Sequence, residues 1–89
     1  MSNERAALAA EIRILLSDVL GIPPERASAF DDDTELFGAL PELDSMAVAN
    51  LLAELEDRME IIVDADEVDG DMLGTFGALV DFVDRKRRP

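Results

Sequence analysis

Apolar residues recur at spacings of three and four in three separate stretches of the chain, and the polar breaks between them set the fold class. In the first stretch Leu8, Ile12, Leu15, Leu16 and Val19 mark one face of a helix over about 3–20. Gly21 ends it, and Pro23-Pro24 cannot continue it. In the second, Val48, Leu51, Leu52, Leu55 and Met59 form the inward stripe of a helix over about 45–59, with Glu54, Glu56, Asp57 and Arg58 facing water. In the third, Phe76, Leu79, Val80 and Val83 define a helix over about 75–87 with Thr75 as its cap. A shorter turn, 64–69, begins at the cap residue Asp64 and closes at Gly70. The reading is all-α: three main helices plus one short helix, in a single domain spanning 1–89.

Two segments resist the helical period. From Pro23 to Leu43 the chain holds Asp31-Asp32-Asp33 and Pro41, and reads as a long loop pinned to the core by Leu36, Phe37 and Leu40, with Phe30 joining them. Ile61-Ile62-Val63 is β-branched, yet no second strand is available to pair with it, and a lone strand is unstable. It is expected to be a buried connector.

Composition narrows the function. The chain has 89 residues, room for one core but not for a deep substrate cleft. Its net charge of −13 argues against nucleic acid as a partner and favours proteins that carry Lys and Arg patches. It contains neither cysteine nor histidine, which removes disulfides, thiolate and imidazole chemistry and the usual zinc ligand sets. An enzyme is therefore not expected. The Ala-rich start is flanked by Glu4, Arg5, Glu11 and Arg13, so it is neither a signal-peptide core nor a membrane span, and a cytoplasmic location is expected. The basic run Arg85-Lys86-Arg87-Arg88 is read as a charge complement to a helix C-terminus rather than a lipid contact.

The acidic clusters do not make a metal site. Counted from Asp64 as the first residue of a calcium loop, Val68 falls at position five, Asp69 replaces the glycine of position six, and Thr75 replaces the glutamate of position twelve. Solvated acidic surface is the better reading, and no metal is expected.

Ser45 carries the most information. It stands in Leu43-Asp44-Ser45-Met46, where the turn-prone run Phe37 to Glu42 gives way to the second helix. A hydroxyl at that place is either a structural N-cap or a point of attachment for a phosphate-bearing group, because helix N-termini favour anions. Asp44 is an equally good cap and would leave the hydroxyl free. Met46 is expected to be exposed, and exposed methionines serve well as adaptable contact residues.

In these residues the chain resembles the acyl carrier protein family, whose motif is Asp-Ser-Leu or Asp-Ser-Met at the start of the second helix. The resemblance runs through Leu36-Phe37, Asp44-Ser45-Met46, the Val48/Leu51/Leu52/Leu55/Met59 stripe, Ile61-Ile62-Val63-Asp64 and Thr75-Phe76. It implies a bundle that carries covalent 4′-phosphopantetheine from coenzyme A on Ser45, with no catalytic residue of its own. It also implies partners: a magnesium-dependent phosphopantetheinyl transferase, an acyl- or aminoacyl-loading ligase, and a downstream transferase or synthase, all meeting a monomer. The arm then supplies the thiol that the chain lacks. Fatty acid carriers place acids two and five residues after the serine, where this chain has Ala47 and Asn50. Leu43 before the motif is closer to D-alanyl carrier proteins and some discrete carriers, and the residues around 39–42 and 70–73 also mark a divergent branch. A specialised acyl or aminoacyl pathway is the expectation, with docking on Asp44, Met46, Asn50, Ala53, Glu56 and Asp57. The competing reading is an unmodified acidic helical adaptor that binds a basic protein through Glu42, Asp44, Glu56 and Asp57.

Overall fold

The computed structural model describes residues 2–87, with side chains from Glu4 onward. Within that span α1 (Ser2–Leu20), α2 (Pro24–Ser28), α3 (Ser45–Met59) and α4 (Phe76–Arg87) follow in order, with a 3-10 turn at Ala65–Glu67 before the last. The basic run reaches beyond this span: Arg88 lies outside the described residues.

α1 is the hub, since α2, α3 and α4 each pack against it. Its inner face contributes Leu8, Ala9, Ile12, Leu15 and Leu16 to one core shared with Leu51 and Leu55 of α3 and Phe76, Leu79, Val80 and Val83 of α4. Among the described residues no charged or polar side chain is buried there. Each fully buried Leu, Ile, Val or Phe contributes about 1.5–3 kcal/mol, so this seam holds the helices in place. Gly21 stops α1 with a φ of 71°, its N–H donating to Ser17 O at 3.0 Å. α3 stops differently: Glu60 adopts φ 56°, ψ 47°, a left-handed conformation that a side chain disfavours.

Three expectations need correction. The segment after Gly21 is not all loop, because Pro24–Ser28 forms a helix with Pro24 in its first turn. A proline breaks a helix only from inside; at the first position its missing N–H has no partner to lose and its fixed φ suits the helix. The connector is buried only in part. Ile61 is in the core, but Ile62 is 75% exposed and Val63 is half-buried, since an extended chain alternates its side chains between two faces. Phe37 does not pin the loop, being 49% exposed, whereas Leu36 and Phe30 are buried and Leu40 half-buried.

Backbone atoms do what Phe37 does not. Leu36 N–H donates to Gly74 O (3.0 Å), Phe37 N–H to Leu73 O (2.9 Å), Phe76 N–H to Thr34 O (2.8 Å) and Gly77 N–H to Asp32 O (3.1 Å). The middle of the chain is thereby clamped to the start of α4, where Thr75 Oγ1 accepts from Ala78 N–H at 3.1 Å. Arg13 adds to the clamp by donating to Phe30 O (3.0 Å) while its guanidinium lies 5.0 Å from the Phe76 ring centroid. Lys86 reaches back to Glu67 at 2.9 Å and holds that carboxyl below the usual carboxylate range.

Candidate functional site

The path into Ser45 is a series of turns with buried anchors. Leu40 N–H donates to Leu36 O (2.9 Å), Leu43 N–H donates to Leu40 O (3.1 Å), and Gly38 takes a φ of 92° that lets the chain reverse. Leu36 and Leu43 are buried on either side of the reversal. Arg26 of α2 grips Glu42 with both terminal nitrogens, one of them at 3.1 Å from Oε1, and this pairing lowers the Glu42 pKa. A bidentate pair three residues before Ser45 fixes where α3 begins.

Asp44 is the cap. Its backbone is extended (φ −93°, ψ −176°), and its side chain accepts from Ala47 N–H at 2.8 Å while its carbonyl accepts from Val48 N–H at 2.9 Å. Ser45 is then the first helical residue and is exposed. Among the described residues nothing hydrogen-bonds its hydroxyl. No acidic residue occupies the first turn of α3, so Asp44 is the local complement to the positive end of this 15-residue helix. This hydroxyl has no imidazole standing by to activate it, since the sequence contains no histidine. It is suited to receive a group from another protein, and a phosphate bonded to it lies where N–H groups and the helix dipole favour negative charge.

Beside Ser45 opens a cavity of about 240 Å³, walled by Phe37, Val48, Val68 and Leu73, with Asp69 and Gly70 at its edge. The cavity is apolar and shallow. The exposed Phe37 belongs to its wall, and the sequence reasoning missed this; the available signal was Gly38, whose positive φ turns the chain outward just after it.

The remaining residues expected to dock partners fall into two groups. Met46 is 77% exposed, and Asn50, Ala53 and Asp57 are also exposed along α3. Glu56 is half-buried, and its Oε2 accepts from Val63 N–H at 2.9 Å, so it also closes the connector. Arg58 is taken by Asp18 (3.0 Å) and Glu54 (2.8 Å), and these two carboxylates raise its pKa. The structure brings Asp44, Ser45, Met46, Phe37 and the cavity together, and sets Glu56 and Asp57 at the far end of α3.

Comparison with known proteins gives a consistent picture. Residues 10–83 match the family described as the phosphopantetheine attachment site. The fold matches the solution NMR structure of a holo acyl carrier protein from Nitrosomonas europaea with a TM-score of 0.79 and 40% sequence identity, over 89% of this chain and 93% of that one. The search of curated proteins found no significant match.

Proposed function

Because the chain belongs to the acyl carrier protein family, whose members are carriers and not enzymes and bear covalent 4′-phosphopantetheine, we propose that Ser45 is the attachment residue and that the protein serves a specialised acyl or aminoacyl pathway. The observation that carries the assignment is the division of labour at the head of α3. Asp44 caps the helix through Ala47 N–H, which leaves the adjacent hydroxyl exposed and without a partner.

In the transfer, Ser45 Oγ bonds to the phosphorus bearing pantetheine, the pyrophosphate bond of coenzyme A breaks, adenosine 3′,5′-bisphosphate leaves, and the hydroxyl proton passes to a base on the transferase. The arm supplies a terminal thiol that holds cargo as a thioester. The chain's own residues do the rest: the α3 N-terminus stabilises the phosphodiester charge, Asp44 offers a carboxylate to a transferase Lys or Arg, and Phe37, Val48, Val68 and Leu73 shelter apolar cargo. Ala47 and Asn50 stand where fatty acid carriers have acids, which supports loading ligases and acceptors other than those of ordinary fatty acid synthesis. Partners approach a monomer along Met46, Asn50, Ala53 and Asp57. Among the described residues no helix is long and apolar enough to cross a membrane, and the cytoplasm, where coenzyme A and the transferase meet the chain, is the proposed location.

The adaptor reading draws less support. Of its four carboxylates, Glu42 is paired with Arg26 and Glu56 is half-buried on Val63 N–H, which leaves Asp44 and Asp57 to meet a basic partner from opposite ends of α3. Intact mass before and after incubation with coenzyme A, magnesium and a broad-specificity phosphopantetheinyl transferase tests the assignment. The parent should gain one phosphopantetheinyl group and Ser45→Ala none. Modification of the variant would move the site, and no gain in either, with a transferase from the native source as well, would restore the adaptor.

A further inference from the structure

α1 is apolar on more than its core face. Ile14 is 61% exposed in the middle of the longest helix, although Ile12, Leu15 and Leu16 beside it are fully buried. A large aliphatic side chain held out at such a position needs a reason when it belongs to a larger apolar feature. It does: α1 and α2 enclose a groove of about 460 Å³, with Ala10, Ile14, Pro24 and Ala27 in its apolar lining and Ser17 and Asp18 also at its walls. The groove shares no lining residue with the cavity at Ser45.

The charges around the groove identify what fits it. Seven residues make close to two helical turns, so Glu4, Glu11 and Asp18 form a row along α1, next to the Ala10 and Ile14 stripe. All three are exposed, as is Glu25 on α2. Arg13 also lines the groove, but its guanidinium is turned onto Phe30 O and the Phe76 ring, and Arg26 on α2 is paired with Glu42. Asp18 and Glu11 have partners in Arg58 (3.0 Å) and Arg87 (3.5 Å), but these are exposed pairs of small net value that an incoming cation can replace. A second copy of the chain, at −13, is repelled.

We propose that the α1/α2 groove docks a cationic amphipathic helix of a partner protein, at a site separate from Ser45. The partner helix lays an apolar ridge against Ala10, Ile14, Pro24 and Ala27 and presents Lys or Arg at a spacing of seven to Glu4, Glu11 and Asp18. An enzyme held there keeps the Ser45 end of the bundle free, and tethering raises its effective concentration at the cargo. α2, which lines the groove with Pro24 and Ala27, also carries Arg26, and its pairing with Glu42 ties that wall to the chain that leads to Ser45.

The probe is a synthetic helical peptide of about 18 residues with a leucine ridge and lysines seven apart on one flank; its control carries glutamates in place of the lysines. Titration into the full-length protein, followed by amide NMR shifts, should move Ala10, Ile14, Ala27 and Ser28. Ile14→Asp should weaken binding at least about tenfold, and Glu11→Gln with Asp18→Asn severalfold with a flatter salt dependence. Ile14 is exposed, so the variants should keep the parent circular dichroism, and loading at Ser45 should be unchanged in each; loss of loading in a folded groove variant would overturn the separation of the two sites, whereas failure of the parent to load would concern the carrier assignment and not the groove. Shifts confined to Met46–Asp57, equal affinity for the glutamate control, or dimers that Ile14→Asp dissociates would each overturn the proposal.

Discussion

Asp44 has two roles that two substitutions can separate. Its carboxylate accepts from Ala47 N–H at 2.8 Å and faces the positive end of α3. Asp44→Ala removes the cap bond, about 0.5–2 kcal/mol, and with it the charge–dipole attraction, about 0.3–1 kcal/mol. Asp44→Asn keeps an equivalent acceptor and loses only the second contribution. In a domain of this size 1 kcal/mol moves the melting temperature by about 4–8 °C. Thermal unfolding should therefore rank the parent above Asn and Asn above Ala, with the Ala deficit about twice the Asn deficit or more. Loading follows another order. On the proposed function the Asp44 carboxylate makes a charge-assisted contact to the transferase worth about 1.5–3 kcal/mol, so both variants should lose roughly tenfold or more in kcat/KM when assayed well below their melting temperatures. If loading instead tracks stability, with Asn near the parent, the carboxylate acts as a cap alone. If Asn melts together with Ala, the cap bond is not what holds the head of α3.

Four other outcomes are expected. Gly77→Ala places a Cβ 2.8 Å from Asp32 O and 2.9 Å from Asp32 Cβ, so it should cost about 1–3 kcal/mol in denaturant unfolding; an unchanged midpoint would mean the clamp yields freely. Glu60→Gly relieves a left-handed residue and should stabilise by up to about 1 kcal/mol, whereas a loss would show that the Glu60 side chain contributes more than its strain. Asp57→Lys should slow loading at low salt without lowering the melting temperature, while Glu56→Lys should lower both because Val63 N–H loses its acceptor; equal melting of the two would remove the structural role of Glu56. The hydrogen bond from Lys86 lowers the folded pKa of Glu67, so its contribution is complete above the ordinary glutamate value and is lost as pH falls through the lowered value. The melting gap between the parent and Glu67→Gln should be widest at neutral pH and close on acidification; a gap that stays constant would refute the pairing.

What was legible in the sequence is what side chains write at a regular spacing. Leu8, Ile12, Leu15 and Leu16, then Leu51 and Leu55, then Phe76, Leu79, Val80 and Val83 all lie in the core, and their period gives an all-helical bundle. α2 escaped because Pro23 and Pro24 read as punctuation, although a proline at a helix start is permitted. Ile62 and Phe37 were misplaced because hydrophobicity says that a residue prefers burial, not which way an extended chain or a positive-φ glycine turns it. At the candidate site, the sequence left both Asp44 and Ser45 as caps. Only coordinates show the carboxylate on Ala47 N–H, since both residue types satisfy the same local rule. The α1/α2 groove was invisible for the same reason as α2 itself.

The clamp between residues 32–37 and 73–77 is made of main-chain N–H and C=O groups, and that choice of atoms decides what evolution or an engineer can rewrite. Asp33 and Glu35 are exposed beside bonds that need no particular side chain. Their identity can be exchanged for almost any residue while the register persists, provided proline is kept from Asp33, whose N–H donates to Asp31 Oδ1 at 3.0 Å. The stretch before Leu36 is in this sense a printed label on a fixed frame: a library randomised at Asp33 and Glu35 can rewrite the surface there without asking the bundle to refold around a new message.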